Sequence, residues 1–277
     1  MMIRAVPSGE GEGPSAGDEG RVPGLGATAA LLLGIAGLFL LGAPPLYLLL
    51  GEFGLLVAQV GLFFLPVAVY LRRGDFDLAR TLSLRFPSLP QTLGGIVVLA
   101  GGLQLALVLA WVQSLILPVP MEYLEAISGT LTADSLLRYL WLLVLAAAAP
   151  AVVEETLFRG VVLAACRRRI PTAAAVVVVG LVFGLFHLTP ETAFRFLPTA
   201  WLGMVLCWVV VVSGSLPLSV LLHFLNNAFV LTLTALPIGD PAASSVGEGP
   251  PYAVMVIGPV IFLWGLSILR RAAGGSR

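Results

Sequence analysis

The chain has 277 residues, 58% of them apolar with 31 glycines besides, and only 11% charged, where about 25% is ordinary for a soluble domain. So few charges cannot cover a soluble globule of this size, and a formal net charge of +0 provides no bulk field for anionic partners. A soluble enzyme, a nucleic-acid binder working through a basic face and a disordered chain are excluded, which leaves an all-α, polytopic membrane helix bundle.

Residues 1–26 are rich in glycine, proline and acidic side chains. They lack an apolar h-region, so they read as a disordered tail rather than a cleaved signal peptide. A bilayer core of about 30 Å needs roughly 20 apolar residues per helix. Eight stretches qualify, at about 27–49, 54–71, 92–117, 136–166, 172–189, 198–213, 216–236 and 252–269. The fifth and sixth are short. Pro44, Pro45 and Pro150 fall inside spans, which is tolerated where neighbouring helices satisfy the freed backbone groups. The organisation is N-terminal helices over 27–118, a core over 136–235, and a last helix with a basic tail over 252–277. No fixed-period repeat is visible. Cys166 and Cys207 form neither a disulfide framework nor a CxxC site.

All 15 basic residues are arginine, and their placement orients the bundle. Arg72, Arg73, Arg80 and Arg85 lie between spans two and three, Arg167 to Arg169 follow span four, and Arg270, Arg271 and Arg277 close the chain. With eight spans these segments share one side. The opposite loops carry Glu52, Glu122, Glu125, Asp134, Glu191, Asp240 and Glu248, with Arg195 the clear exception. The positive-inside rule puts both termini in the cytoplasm. The arginine run at 167–169 reads as a topology signal or a lipid contact.

Charged groups at the centre of a spanning helix cost about 2.5–3.5 kcal/mol each on insertion scales, so Glu154, Glu155 and Arg159 in span four need a reason. Glu155 and Arg159 stand four residues apart on one helical face and can pair. Glu154 is rotated about 100° away and is left as the freer carboxylate, although the two glutamates could exchange roles. The only two histidines, His187 and His223, are also intramembrane. Phe183 lies one turn before His187, and Asn227 one turn after His223. At 1.5 Å per residue, Glu154 lies about 20 Å from Arg167 and His187 about 22 Å from its helix start; Asn227 and His223 lie about 16 and 10 Å from theirs. Tilted helices can bring these groups to one cavity. A lone membrane histidine is more often an interhelical hydrogen bonder, and a lone Glu–Arg pair can serve only helix register. The coincidence of the whole set favours function.

VEETLFRG contains EExxxR (Glu154, Glu155, Arg159), FGLFH contains FxxxH (Phe183, His187) and HFLNN contains HxxxN (His223, Asn227). In that order, over roughly residues 136–235, they resemble the CAAX-protease and bacteriocin-processing (CPBP, Abi) intramembrane endopeptidases. The resemblance implies a membrane peptide hydrolase, often called a metalloprotease. Glu154 and His187 would activate water, His223 and Asn227 would stabilise the oxyanion, and Glu155, Arg159 and Phe183 would support them. His187, His223 and Glu154 could instead hold a divalent metal such as zinc with water in the open position. HExxH is absent, and a metal-free glutamate mechanism fits the same residues. The expected substrate is a peptide or lipidated protein entering from the bilayer or the cytoplasmic side. Membrane lipids are the other partners and nucleic acid is not one; a bacterial chain would sit in the cell membrane. A proton-coupled transporter using the Glu and His groups as a relay and an inactive membrane scaffold or immunity protein remain as alternatives. A transporter predicts matching interrupted helices in two halves, whereas these polar groups concentrate in spans four to seven.

Overall fold

The computed structural model describes residues 21–235 and 250–274. The tail over residues 1–20, the acidic residues Asp240 and Glu248, and Arg277 lie outside the described residues. Each of the eight apolar stretches forms a helix: α1 Leu25–Leu50, α2 Glu52–Arg73, α3 Leu89–Ser114, α4 Leu136–Arg167, α5 Thr172–Phe186, α6 Phe196–Ser213, α7 Leu216–Ala235 and α8 Tyr252–Gly274. Seven of these are long and apolar enough to cross a membrane. The exception is α5, whose 15 residues reach only about 22 Å. The chain is an integral, multi-pass, all-α membrane protein. Lipid-directed leucines on α1 (Leu33, Leu40, Leu41 and Leu48) are more than 70% exposed, as a bilayer-facing surface requires.

Two prolines explain two irregular turns. A proline inside a helix lacks an N–H and its ring collides with the carbonyl four residues earlier. The wider π-helical turns at Gln59–Phe64 and Leu143–Ala148 directly precede Pro66 and Pro150 and relieve that collision. Pro44 and Pro45 lie within α1 without a break. The segment between α3 and α4, read from sequence as a loop, contains an 11-residue helix, Met121–Leu131. Its apolar stretch is too short to register as a span.

Contacts at the helix ends set the up-and-down order. Arg168, just past α4, donates to the Val22 carbonyl ahead of α1. Arg85, between α2 and α3, donates to the Ser213 carbonyl at the end of α6. The Arg270 guanidinium near the end of α8 stands 5.6 Å from the Trp208 ring. The arginine-bearing segments therefore gather at one end. At the other end, Gln113 of α3 donates to the Ala193 carbonyl and accepts from the Leu197 amide. Arg138, at the start of α4, pairs there with Glu52. Arg195 is thus not the only basic residue at that end.

The core centres on α4. Val153, Leu157, Phe158, Val161 and Val162 pack against residues of α1, α2, α5 and α6, while Leu142 packs against Leu231 and Ala235 of α7. A second cluster joins α3, α6, α7 and α8. Small residues permit a close crossing here: a Cβ on Gly203 would stand 3.1 Å from the Gly180 backbone, so α5 and α6 touch main chain to main chain.

Candidate active site

Three helices bring the intramembrane polar residues together. On α4, Glu155 and Arg159 form an ion pair of 2.6 Å with both side chains fully buried. The second Arg159 nitrogen donates to the Gly203 carbonyl at 3.1 Å. Its guanidinium carbon lies 4.3 Å from the centre of the Phe183 ring, where the ring's negative face attracts a cation. The close α5–α6 crossing at Gly180 and Gly203 thus also delivers a carbonyl to Arg159.

Glu155 has partners on α7 as well. Ser219 donates its hydroxyl to Oε2 at 2.5 Å, and His223 places Nδ1 2.8 Å from Oε1. A carboxylate accepts, so His223 carries a proton on Nδ1 and its Nε2 is left for other chemistry. His187, at the C-terminal end of α5, has its Nδ1 2.8 Å from the Phe183 carbonyl. A carbonyl can only accept, so His187 likewise turns Nε2 outward.

Both free nitrogens meet Glu154. Its Oε2 lies 3.5 Å from His187 Nε2 and 3.9 Å from His223 Nε2. That oxygen is buried and makes no hydrogen bond. The separations are too long for direct hydrogen bonds and suit a small bridging species such as water. His187 is 37% exposed at the side chain, Glu154 17% and His223 7%, so access runs past His187. A cavity of about 70 Å³ opens beside it, lined by His187, Thr192, Arg195 and Thr199 among others. That is ample room for water.

Asn227 lies one turn beyond His223 but bonds to none of Glu154, His187 or His223 among the described residues. Its Oδ1 accepts from Asn226 Nδ2 at 2.9 Å, which leaves its own N–H groups available. Ser219 and the Gly203 carbonyl were missed from sequence. A signal for Ser219 existed, since Ser219, His223 and Asn227 recur every four residues on one face of α7. The Gly203 carbonyl had none, because any residue carries one.

A resident metal requires three side-chain ligands at short range. Glu154, His187 and His223 are chemically suitable, yet among the described residues no group of three His, Cys, Asp or Glu has the spacing to hold an ion. The residues as placed do not fit a preformed metal centre.

Residues 136–229 match the family described as Type II CAAX prenyl endopeptidase Rce1-like. Glu154, Glu155, Arg159, Phe183, His187, His223 and Asn227 all lie within that segment. No curated protein and no solved structure matches the chain.

Proposed function

We propose that this chain, Rce1-like over residues 136–229, is an intramembrane endopeptidase that cleaves a peptide bond with water activated by Glu154 and His187. The observation that carries this reading is the meeting of one unpartnered carboxylate oxygen with two imidazole Nε2 atoms whose Nδ1 positions are already committed. A purely structural histidine would spend both nitrogens on the fold.

Water held between Glu154 Oε2 and His187 Nε2 loses a proton to Glu154 as its oxygen attacks the scissile carbonyl carbon. The oxyanion that forms accepts hydrogen bonds from the Asn227 amide and, when His223 carries a proton on both ring nitrogens, from its Nε2–H. Collapse breaks the C–N bond while Glu154 returns the proton to the departing nitrogen. The products are a carboxylate and an amine. Glu155, Arg159 and Phe183 hold the histidines in position and touch no substrate.

The substrate is a peptide or lipidated protein, with a prenylated C-terminal CAAX segment the first to test. It reaches the site from the bilayer or along the His187 side, and the arginine-rich end faces the cytoplasm. The steps above use only these side chains and water. Purified protein in detergent is assayed on a panel of prenylated and unprenylated peptides, with metal analysis alongside. Cleavage should survive chelation and be lost in Glu154→Ala and His187→Ala while both variants stay folded. Full activity in both variants overturns the site, and one zinc per chain lost on His223→Ala overturns the metal-free mechanism.

A further inference from the structure

Away from the candidate active site, the arginine-rich end carries an open cleft of about 920 Å³, within the roughly 300–1,000 Å³ typical of ligand pockets. Three helix ends meet around it. Arg21 precedes α1, Arg73 ends α2 and Arg168 follows α4, and all three line the cleft. Among the described residues none of these guanidinium groups pairs with a carboxylate. Along the chain, Glu19 stands two residues before Arg21 and Asp75 two after Arg73, and Asp77 spends a side-chain oxygen on the Arg80 amide at 3.0 Å.

The cleft is a built feature. The Asp77 amide donates to the Arg21 carbonyl and Arg168 donates to the Val22 carbonyl, so two tethers hold the segment before α1 across the ends of α2 and α4. The turn after α2 folds Phe76 back onto Tyr70, with ring centres 5.2 Å apart. Gly74 permits this, because a Cβ there would collide with the Phe76 ring. Tyr70 lines the cleft, and its hydroxyl is shielded from solvent and makes no hydrogen bond among the described residues. A buried hydroxyl without a partner costs about 1–3 kcal/mol, which an acceptor reaching it would offset. Below the arginines the wall becomes apolar, with Ala27 of α1 and Val69 of α2 both exposed.

We propose that this cleft binds the phosphate headgroup of an anionic phospholipid, with its acyl chains running down the Ala27 and Val69 wall. Three guanidinium groups, none paired with a carboxylate among the described residues, and a hydroxyl donor recognise a phosphate diester. Continuity with a membrane-facing apolar wall selects a lipid over a free anion. The site is independent of peptidase activity.

The test uses the full chain purified in detergent, with native mass spectrometry and thermal unfolding in added phosphatidylglycerol, phosphatidylcholine or inorganic phosphate. Phosphatidylglycerol should bind about tenfold or more tightly than phosphatidylcholine, as expected for several arginines near one anionic headgroup, and should raise the unfolding midpoint. The preference should disappear in Arg73→Gln/Arg168→Gln and weaken as salt rises. Tyr70→Phe keeps the ring packing and should weaken phosphatidylglycerol binding by about threefold; it decides the matter if the double variant does not fold. Equal binding of the two lipids, a retained preference in the variants, or full stabilisation by inorganic phosphate alone would each overturn the proposal.

Discussion

α4 takes part in two Glu–Arg pairs with the same chemistry and different surroundings. Arg138 meets Glu52 at the helix start, where both side chains are about a quarter exposed and Trp141 also donates to the carboxylate. Arg159 meets Glu155 in mid-helix, where neither side chain is exposed at all. Water screens the first pair and holds its value to about 0–1 kcal/mol. The second has no water to fall back on, so each partner depends on the other, on the Gly203 carbonyl, on Ser219 and on His223. A charge pair at the rim staples two segments together, whereas one in the core fixes the direction of every group bonded to it. Glu154, beside the buried pair but outside its bonds, is the carboxylate proposed to react.

That contrast can be broken experimentally. The largest effect should come from Glu154→Gln, which removes the proposed base and should lower kcat by about 10²–10⁴-fold in a peptide-cleavage assay, with the unfolding midpoint unchanged. A comparable midpoint drop and activity loss together would make Glu154 structural. Next, Arg159→Met strands the buried Glu155 carboxylate and should destabilise the fold by about 3–5 kcal/mol, read by thermal or denaturant unfolding in detergent. A smaller loss, about 1.5–3 kcal/mol, is expected for Ser219→Ala, since only one hydrogen bond to a charged group disappears. The smallest belongs to Arg138→Gln, at no more than about 1 kcal/mol. An Arg138→Gln loss equal to that of Arg159→Met would erase the distinction between rim and core.

Much of the fold was legible because apolar runs long enough to span a bilayer have few other uses. The eight helices lie within a few residues of the hydropathy peaks, and the costly charges in α4 stood out against them. The π-helical turns were not legible, because one extra residue in a turn leaves the apolar pattern unchanged. That includes the turn at Thr156–Val162, which carries Arg159. Met121–Leu131 was missed for a related reason: a short helix bearing Glu122 and Glu125 resembles a polar loop. In the candidate site, helical spacing was enough to pair Glu155 with Arg159. It could not reveal that His223 gives its Nδ1 to Glu155 rather than Glu154, because that depends on how α7 is rotated against α4.

The short helix α5 bears on the lipid around it. Its 15 residues span about 22 Å, several ångströms less than a hydrocarbon layer of about 30 Å. Acyl chains beside α5 must compress or splay, at a cost of fractions of a kcal/mol per ångström of mismatch. His187 sits where α5 stops, so the dimple in the bilayer and the proposed catalytic groups coincide. Bilayer elasticity then bears on the proposed peptidase: longer-chain lipids should penalise hydration of His187 and slow turnover, and shorter-chain lipids should ease it.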